Sequence, residues 1–362
     1  MVIADYLKKF MLLPAPSGYE KEMAYGLKDA IAPFTDEVKI DRVGNVIACI
    51  RGTDSTSPKV MVFAHIDQLG FIVRKIEPNG FIQLDRLGGI PEKVLPGLKL
   101  LIRSEDGKFH TAVIGTKSHH ATPAEEKYKV DPITSLYVDV GASSDKQVHD
   151  MHIETGCPAI YMPAFEQLHG STVSGTAIDN RGGCACLIRI AELLNKDRPK
   201  SDVYLVGTVW EEFNLRGAII AARTIKPDIA ICLDVVLSGD TPDLAGKFDT
   251  RLGAGPAVSL YNFHGRGTLN GTIPHEGLVK LAISSAEELQ IPLQRFATLG
   301  ILTDSSYLQL EESGIAAIDL GFPARYTHTP VEVCCIEDLE RLAFLAAAMS
   351  RKIDSRFSLN RY

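Results

Sequence analysis

Long apolar runs are missing from this 362-residue chain. No stretch approaches the roughly 18 uninterrupted apolar residues that a membrane-spanning helix requires, so a soluble protein without membrane contact is expected. The first twenty residues carry Asp5, Lys8 and Lys9 among their hydrophobic positions, which the core of an export signal does not tolerate. Seven cysteines, an odd number at scattered positions without a CxxC pair, exclude a disulfide frame and point to reduced, buried thiols and a cytoplasmic location. Cys184 and Cys186 lie two apart on an expected helix, so they do not face one another and are read as core thiols.

Basic runs and basic-aromatic ladders are also lacking. With a net charge of -7, no electrostatic footprint for nucleic acid is present. The chain has no internal repeat and no low-complexity tract. It contains no GxSxG elbow, no GxGxxG after a strand and no GxxxxGK[ST] loop, which removes the serine-hydrolase, dinucleotide-binding and P-loop classes.

What is present is a globular composition, 45% hydrophobic and 23% charged, in a chain long enough for two domains. Short runs rich in Val and Ile, namely 60–64, 203–210, 229–233 and 316–320, read as central strands. Helical periodicity marks 19–31, 180–194, 274–289 and 336–352. The last of these has Glu337 and Asp338 in its first turn and Arg351 and Lys352 in its last, as the helix dipole favours. The alternation predicts an α/β fold with a mainly parallel central sheet flanked by helices. Between about residues 70 and 167 the texture changes to short alternating strands with turn signals at Pro78-Asn79-Gly80 and Asp106-Gly107. This predicts an inserted small β domain, with a discontinuous catalytic α/β domain of residues 1–69 and 168–362. An insertion of this kind is a natural place for a subunit contact.

Chemistry-bearing residues fall at the ends of the expected strands. His65 and Asp67 follow the first, Glu211 and Glu212 the second, and Asp234 the third. Asp179 opens a helix, and His328 lies in a loop beyond the run at 316–320. In an open parallel sheet the C-terminal strand ends line one crevice, so these groups are expected to converge. Two imidazoles among carboxylates suit zinc, cobalt or manganese in a catalytic site. So many acids near one point need cations to relieve their repulsion, and a pair of ions can hold and activate a bridging water. Neighbouring side chains on an extended segment point to opposite sides, so one of Glu211 and Glu212 is expected to bind metal and the other to move protons. Asp67 is placed to accept the unused N–H of His65.

These residues, with 64–67, 113–115, 138–144, Asp179-Asn180-Arg181, Arg216-Gly217-Ala218, Thr303-Asp304 and 325–328 in this order, resemble the tetrahedral-aminopeptidase family of dinuclear metallopeptidases. That family has the zinc-peptidase type of fold and includes glutamyl and deblocking aminopeptidases, with some members labelled endoglucanase. The resemblance spans nearly the whole chain. It implies an aminopeptidase acting on short peptides with two divalent ions, Zn2+ or Co2+. Asp179 becomes the bridging ligand, His65 and Asp234 hold one ion, Glu212 and His328 hold the other, and Glu211 is the general base. It also implies dimerisation through the β insertion and assembly of dimers into a dodecamer. Gln68 stands where the family usually has Glu, Asn214 where it has Gly, and Ser305 and Ser306 where a small residue follows the Asp. Residues 262–268 form a longer, more polar segment than usual, read as an altered substrate loop.

Two other functions compete. A glycoside hydrolase would use two carboxyls about 5–9.5 Å apart and has little need of imidazoles. A non-catalytic or narrowed homologue acting as a binder would be marked by Gln68 and Asn214, although Glu211 is retained. His119-His120 reads as a loop or interface feature, and Arg251 and Arg266 as surface arginines or as receptors for an acidic group.

Overall fold

The computed structural model describes residues 2–265 and 270–361, so Arg266, Gly267 and Thr268 of the expected substrate loop lie outside the described residues. Helices α1 (Ile3–Met11) and α2 (Lys21–Ile31) precede strands β1 (Glu37–Ile40), β2 (Val46–Ile50) and β3 (Val60–His65). Strands β4 (Gly70–Ile76), β5 (Ile82–Leu87), β6 (Lys99–Arg103), β7 (Phe109–Ile114), β8 (Val138–Asp139) and β9 (Pro158–Tyr161) close a barrel, with the short helix α3 (Asp145–Asp150) between the last two. The chain then returns to the first sheet through β10 (Phe165–Gln167), β11 (Thr172–Gly175), α4 (Ile178–Lys196), β12 (Val203–Thr208), α5 (Gly217–Ile225) and β13 (Ile229–Leu237). It ends with β14 (Ala257–Phe263), β15 (Gly271–Thr272), α6 (Glu276–Glu288), β16 (Gln294–Leu299), α7 (Ser305–Leu308), β17 (Ala316–Arg325), β18 (Glu332–Cys335) and α8 (Ile336–Lys352).

The large sheet runs β1-β2-β12-β3-β13-β17-β18-β11-β10, with β14, β15 and β16 branching from β17. Its centre, β12-β3-β13-β17, is parallel. Towards both ends the pairing turns antiparallel, so the expectation of a mainly parallel sheet holds only for the centre. For consecutive strands connection length explains the difference. The links from β1 to β2 and from β17 to β18 are a few residues long, far too short for the crossover that a parallel pair needs.

Each central strand is buried on both faces. In β3, Val60, Val62 and Ala64 belong to the core under α1, α2, α4, α6 and α8, whereas Met61 and Phe63 join Ala218, Ala221 and Ala222 of α5 on the other side. Two covered faces account for a continuous apolar run where an alternating one would mark a half-exposed strand. The barrel has its own core of Phe71, Val73, Leu84, Leu100, Ile102 and Ile114 among others. Its hairpins turn at Gly80 (φ 87) and Gly107 (φ 83), in the left-handed region that glycine enters without steric cost. All seven cysteines are free and buried. Among the described residues no helix is long and apolar enough to cross a membrane.

Candidate active site

Six of the seven singled-out residues line one cleft of about 820 Å³ at the C-terminal ends of the central strands: His65, Asp179, Glu211, Glu212, Asp234 and His328. The seventh, Asp67, lies buried beneath it. His65 is the last residue of β3 and pairs in register with Thr208 at the end of β12. Asp179 enters from the first turn of α4, where its own backbone is still non-helical and the Asp179–Asn180 peptide is cis.

Two expectations about these positions need correction. Asp234 does not close its strand, because β13 stays paired with β17 for three further residues, through Leu237. Nor do Glu211 and Glu212 sit on an extended segment. β12 ends at Thr208, and the two glutamates occupy the turn that follows. Their carboxylates part even so: Glu211 Oε2 lies 3.9 Å from His65 Nε2, and Glu212 Oε2 lies 3.9 Å from His328 Nε2.

Asp179 stands between the two imidazoles. Its Oδ1 is 3.0 Å from His65 Nε2 and its Oδ2 is 3.7 Å from His328 Nε2. Asp234 Oδ1 is 3.9 Å from His65 Nε2. His65, Asp179 and Asp234 thus form one set of potential ligands, and Asp179, Glu212 and His328 a second, with the donor atoms of each set within 4.8 Å of one another. Glu211 belongs to neither. Among the described residues, His119 and His120 join no such set, and they sit in an exposed turn of the barrel.

Asp67 differs in part from its expected role. His65 Nδ1 is closer to the Asp67 carbonyl, at 3.2 Å, than to the carboxylate, at 3.5 Å. The carboxylate mainly takes hydrogen bonds from elsewhere: the Ser17 hydroxyl at 2.6 Å and the backbone N–H groups of Glu211 at 3.0 Å and Glu212 at 3.1 Å. It therefore holds the turn carrying both glutamates. Glu332, which the sequence reading did not single out, does the same across the cleft. Its carboxylate accepts the N–H of Asp179 at 3.0 Å and of His328 at 2.6 Å. The only signal for it in sequence is an acid opening an apolar strand, which by itself reads as an ordinary strand end.

Burial and crowding set the electrostatics. Burial pushes Glu211 and Asp234 well above the usual carboxylate range, with neighbouring acids adding to the effect. It raises Glu212 to about 7 and Glu332 to about 8. For His328 burial works downward, but Glu212 and Asp179 outweigh it and bring the imidazole to about 9. This is a cluster of anions short of cations. Glu212 Oε1, in addition, is buried with no hydrogen-bond partner among the described residues. An oxygen-rich donor set with two imidazoles, mutual repulsion and an orphaned carboxylate oxygen fits divalent ions of the zinc or cobalt kind.

The backbone around the cleft is contorted. Ala177, Trp210, Asn214, Leu215, Tyr326 and His328 all have positive φ, and such conformations concentrate at functional sites. Asn214, at φ 74, stands where the resembled family carries Gly, and Asn is among the side chains that tolerate this region best. Gln68 also has a structural reason. Its Oε1 accepts the Ala15 N–H at 3.1 Å and Nη2 of the fully buried Arg181 at 2.8 Å. Arg251 does not line the cleft, and Arg266 lies outside the described residues.

Comparison with known proteins defines the class: a metallo-aminopeptidase. Residues 44–345 match the family model for the M42 glutamyl aminopeptidases, and the chain belongs to that family. The Escherichia coli (strain K12) protein SgcX is 35% identical over 336 residues, covering 93% of this chain and 90% of SgcX. Aminopeptidase APDkam598 of the archaeon Desulfurococcus kamchatkensis superposes with a TM-score of 0.92 at 33% identity, over 98% of this chain and 97% of the other. The Pyrococcus horikoshii TET1 peptidase, which can assemble into a tetrahedron or a large octahedral shell, superposes with a TM-score of 0.85 at 28% identity over 97% and 100%.

Proposed function

We propose that the protein removes N-terminal residues from short peptides with two divalent ions, zinc or cobalt, and with Glu211 as general base. His65 and Asp234 would hold one ion, Glu212 and His328 the other, and Asp179 would be shared. The observation that carries this reading is that Asp179 turns one oxygen to each histidine, at 3.0 and 3.7 Å, while Glu211 stands outside both donor sets. When bound, the ions would supply Lewis-acid polarisation of the scissile carbonyl and a lowered pKa for the attacking water.

The remaining work belongs to the protein. Glu211 takes a proton from the attacking water and delivers it to the departing amine, so the carboxylate ends as it began. Asp67, through the N–H groups of Glu211 and Glu212, fixes base and ligand relative to each other. Gly89 O accepts from His328 Nδ1 at 2.8 Å, which leaves Nε2 facing the cleft.

The proposal extends to organisation. Residues 1–69 and 168–362 form the catalytic unit, with β10 handing the chain back to the large sheet. Residues 70–167 form the unit through which copies associate, a dimer being the building block of a dodecamer. Support comes from the assembling relative and from the exposed Phe109, Val113, Tyr128 and Tyr137 on this part of the chain. The seven reduced thiols agree with a cytoplasmic location.

The test is Glu211→Gln in metal-loaded protein. Turnover of aminoacyl anilides is expected to fall about a thousandfold, while elemental analysis still finds two ions per chain. Soluble cello-oligosaccharides assayed in parallel separate a glycosidase. If loaded wild-type protein cleaves no aminoacyl substrate across a broad panel, the peptidase reading is wrong.

A further inference from the structure

We infer that Arg86 anchors a carboxylate of the substrate, so that the cleft is built for short peptides bearing a negative charge beyond the cleaved bond. The inference rests on the peptidase reading and adds a determinant of substrate choice supplied by the barrel.

The two walls of the cleft differ. Continuing from Asp234, one wall presents Val235, Leu237, Ile301 and Leu302, with no charged side chain among the four. A second wall is the loop that follows β5, and it leans on the other donor set. Gly89 O binds His328 Nδ1, and a side-chain carbon at Gly88 would stand 3.3 Å from the Glu212 carbonyl. Arg86, the penultimate residue of β5, stands where this second wall begins. Among the described residues lining the cleft it is the one guanidinium or ammonium group, in a cleft that also holds Asp179, Glu211, Glu212 and Asp234.

The guanidinium is placed but not consumed. One nitrogen donates to Ile90 O at 3.2 Å, which orients the plane, and the same nitrogen makes a long ion pair with Glu92 Oε1 at 3.9 Å, without a hydrogen bond. Glu92 itself is engaged with the Ile133 N–H. The side chain remains 41% exposed. A planar fork with most of its five donors open is suited to bidentate capture of a carboxylate. The acids of the cleft floor do not compete for this role, since ion binding accounts for Asp179, Glu212 and Asp234 and proton transfer for Glu211. An apolar stretch adjoining Asp234 and a guanidinium beside the loop that touches His328 and Glu212 thus offer places for an uncharged and an anionic part of the substrate. The anion is either the C-terminal carboxylate of a short peptide or an acidic side chain following the bond.

The experiment compares Leu-Gly-Gly, its C-terminal amide and Leu-Glu-Gly-amide on metal-loaded wild-type protein and on Arg86→Gln and Arg86→Lys. A charge-assisted hydrogen bond is worth about tenfold to a hundredfold in affinity. Wild-type protein should therefore favour a carboxylate-bearing peptide over the plain amide by about that factor, mostly in KM. Arg86→Gln should bring the ratio close to one, and Arg86→Lys should leave a part of it. Preference for the free acid identifies the chain terminus as the anion, and preference for Leu-Glu-Gly-amide identifies the side chain. Calorimetric binding of the same peptides gives a second readout. A carboxylate preference in binding without turnover of any peptide would fault the peptidase reading and keep the anchor. Hydrolysis with the same acid-to-amide ratio in wild type and Arg86→Gln would overturn the anchor and keep the peptidase.

Discussion

Replacing Asp67 by Asn tests whether the buried carboxylate beneath the cleft positions the two glutamates. Its Oδ1 accepts the Glu211 N–H, and its Oδ2 accepts both the Ser17 hydroxyl and the Glu212 N–H. An amide keeps one acceptor and turns an NH2 toward donors that cannot receive it. In the better of its two orientations the new amide preserves the contacts made by Oδ2, now with a neutral oxygen, and sets N–H against N–H at Glu211. Hydrogen bonds to a charged group contribute about 1.5–3 kcal/mol and neutral ones about 1 kcal/mol. One bond lost and two weakened therefore cost about 3–5 kcal/mol of stability. The share felt at Glu211 is the one lost bond, which at about 1.4 kcal/mol per tenfold corresponds to roughly a 10- to 100-fold fall in kcat/KM. The assay is steady-state hydrolysis of an aminoacyl anilide by metal-loaded protein, paired with urea unfolding. Ser17→Ala keeps both backbone contacts and is expected to show a much smaller kinetic effect. Asp67→Asn with kcat/KM within about threefold of wild type and an unshifted urea midpoint would refute the reasoning.

Three further expectations follow from the same geometry. Glu332→Ala frees the N–H groups of Asp179 and His328, so metal affinity should drop about 10- to 100-fold; an unchanged dissociation constant by titration would count against that role. Removing divalent ions leaves the buried acids of the cleft facing one another without cations, and re-adding zinc or cobalt at about a thousand times its Kd should stabilise by about 4 kcal/mol. Thermal melts with chelator and with metal should then differ by about 5 °C, and coincident melts would contradict the coupling. Arg325 grips Asp240 at 2.7 Å through two nitrogens, and although burial works upward, this pair together with Ser238 and the Leu252 N–H holds the Asp240 carboxyl down at about 2. A folded-state pKa below the unfolded one, about 3.9, gives stability that is complete above pH about 4 and lost as the pH falls through about 2. Because both side chains are partly exposed, Asp240→Asn should cost only about 1 kcal/mol at pH 7. The gap to wild type should narrow at pH 3, and a gap that widened on acidification would contradict the sign.

Much of the catalytic half could be read in the chain because its signals are local and repetitive. α8 spans Ile336–Lys352, the run predicted from its periodicity, and the four apolar runs became the central strands. Strand ends were read less well. β13 extends past Asp234 because β17 supplies a partner for every residue to Leu237, and a pairing partner is a long-range fact that no local window contains. The antiparallel flanks escaped for a similar reason. β1 and β18 are four residues each, too short to show a period. In the site, residues with unusual chemistry for their setting, such as a histidine or paired acids after an apolar run, stood out. Glu332 and Arg86 did not, since their roles depend on backbone N–H groups and on a cleft assembled from distant segments. Asn214 was legible only as a departure that would mark a narrowed homologue, and its φ of 74 adds a backbone reason for an Asn at that position.

The barrel has one more implication. Its six strands close on themselves, but the seam at β8 is short, since β5 meets it only at Ile82 and β7 only at Val113 and Ile114. Along β6, paired on both sides by β7 and β9, a second copy can meet the barrel only through side chains, where recognition depends on shape and single substitutions can weaken contact gradually. Growth into fibrils by strand addition is barred along β6, so association can be tuned there without inviting aggregation.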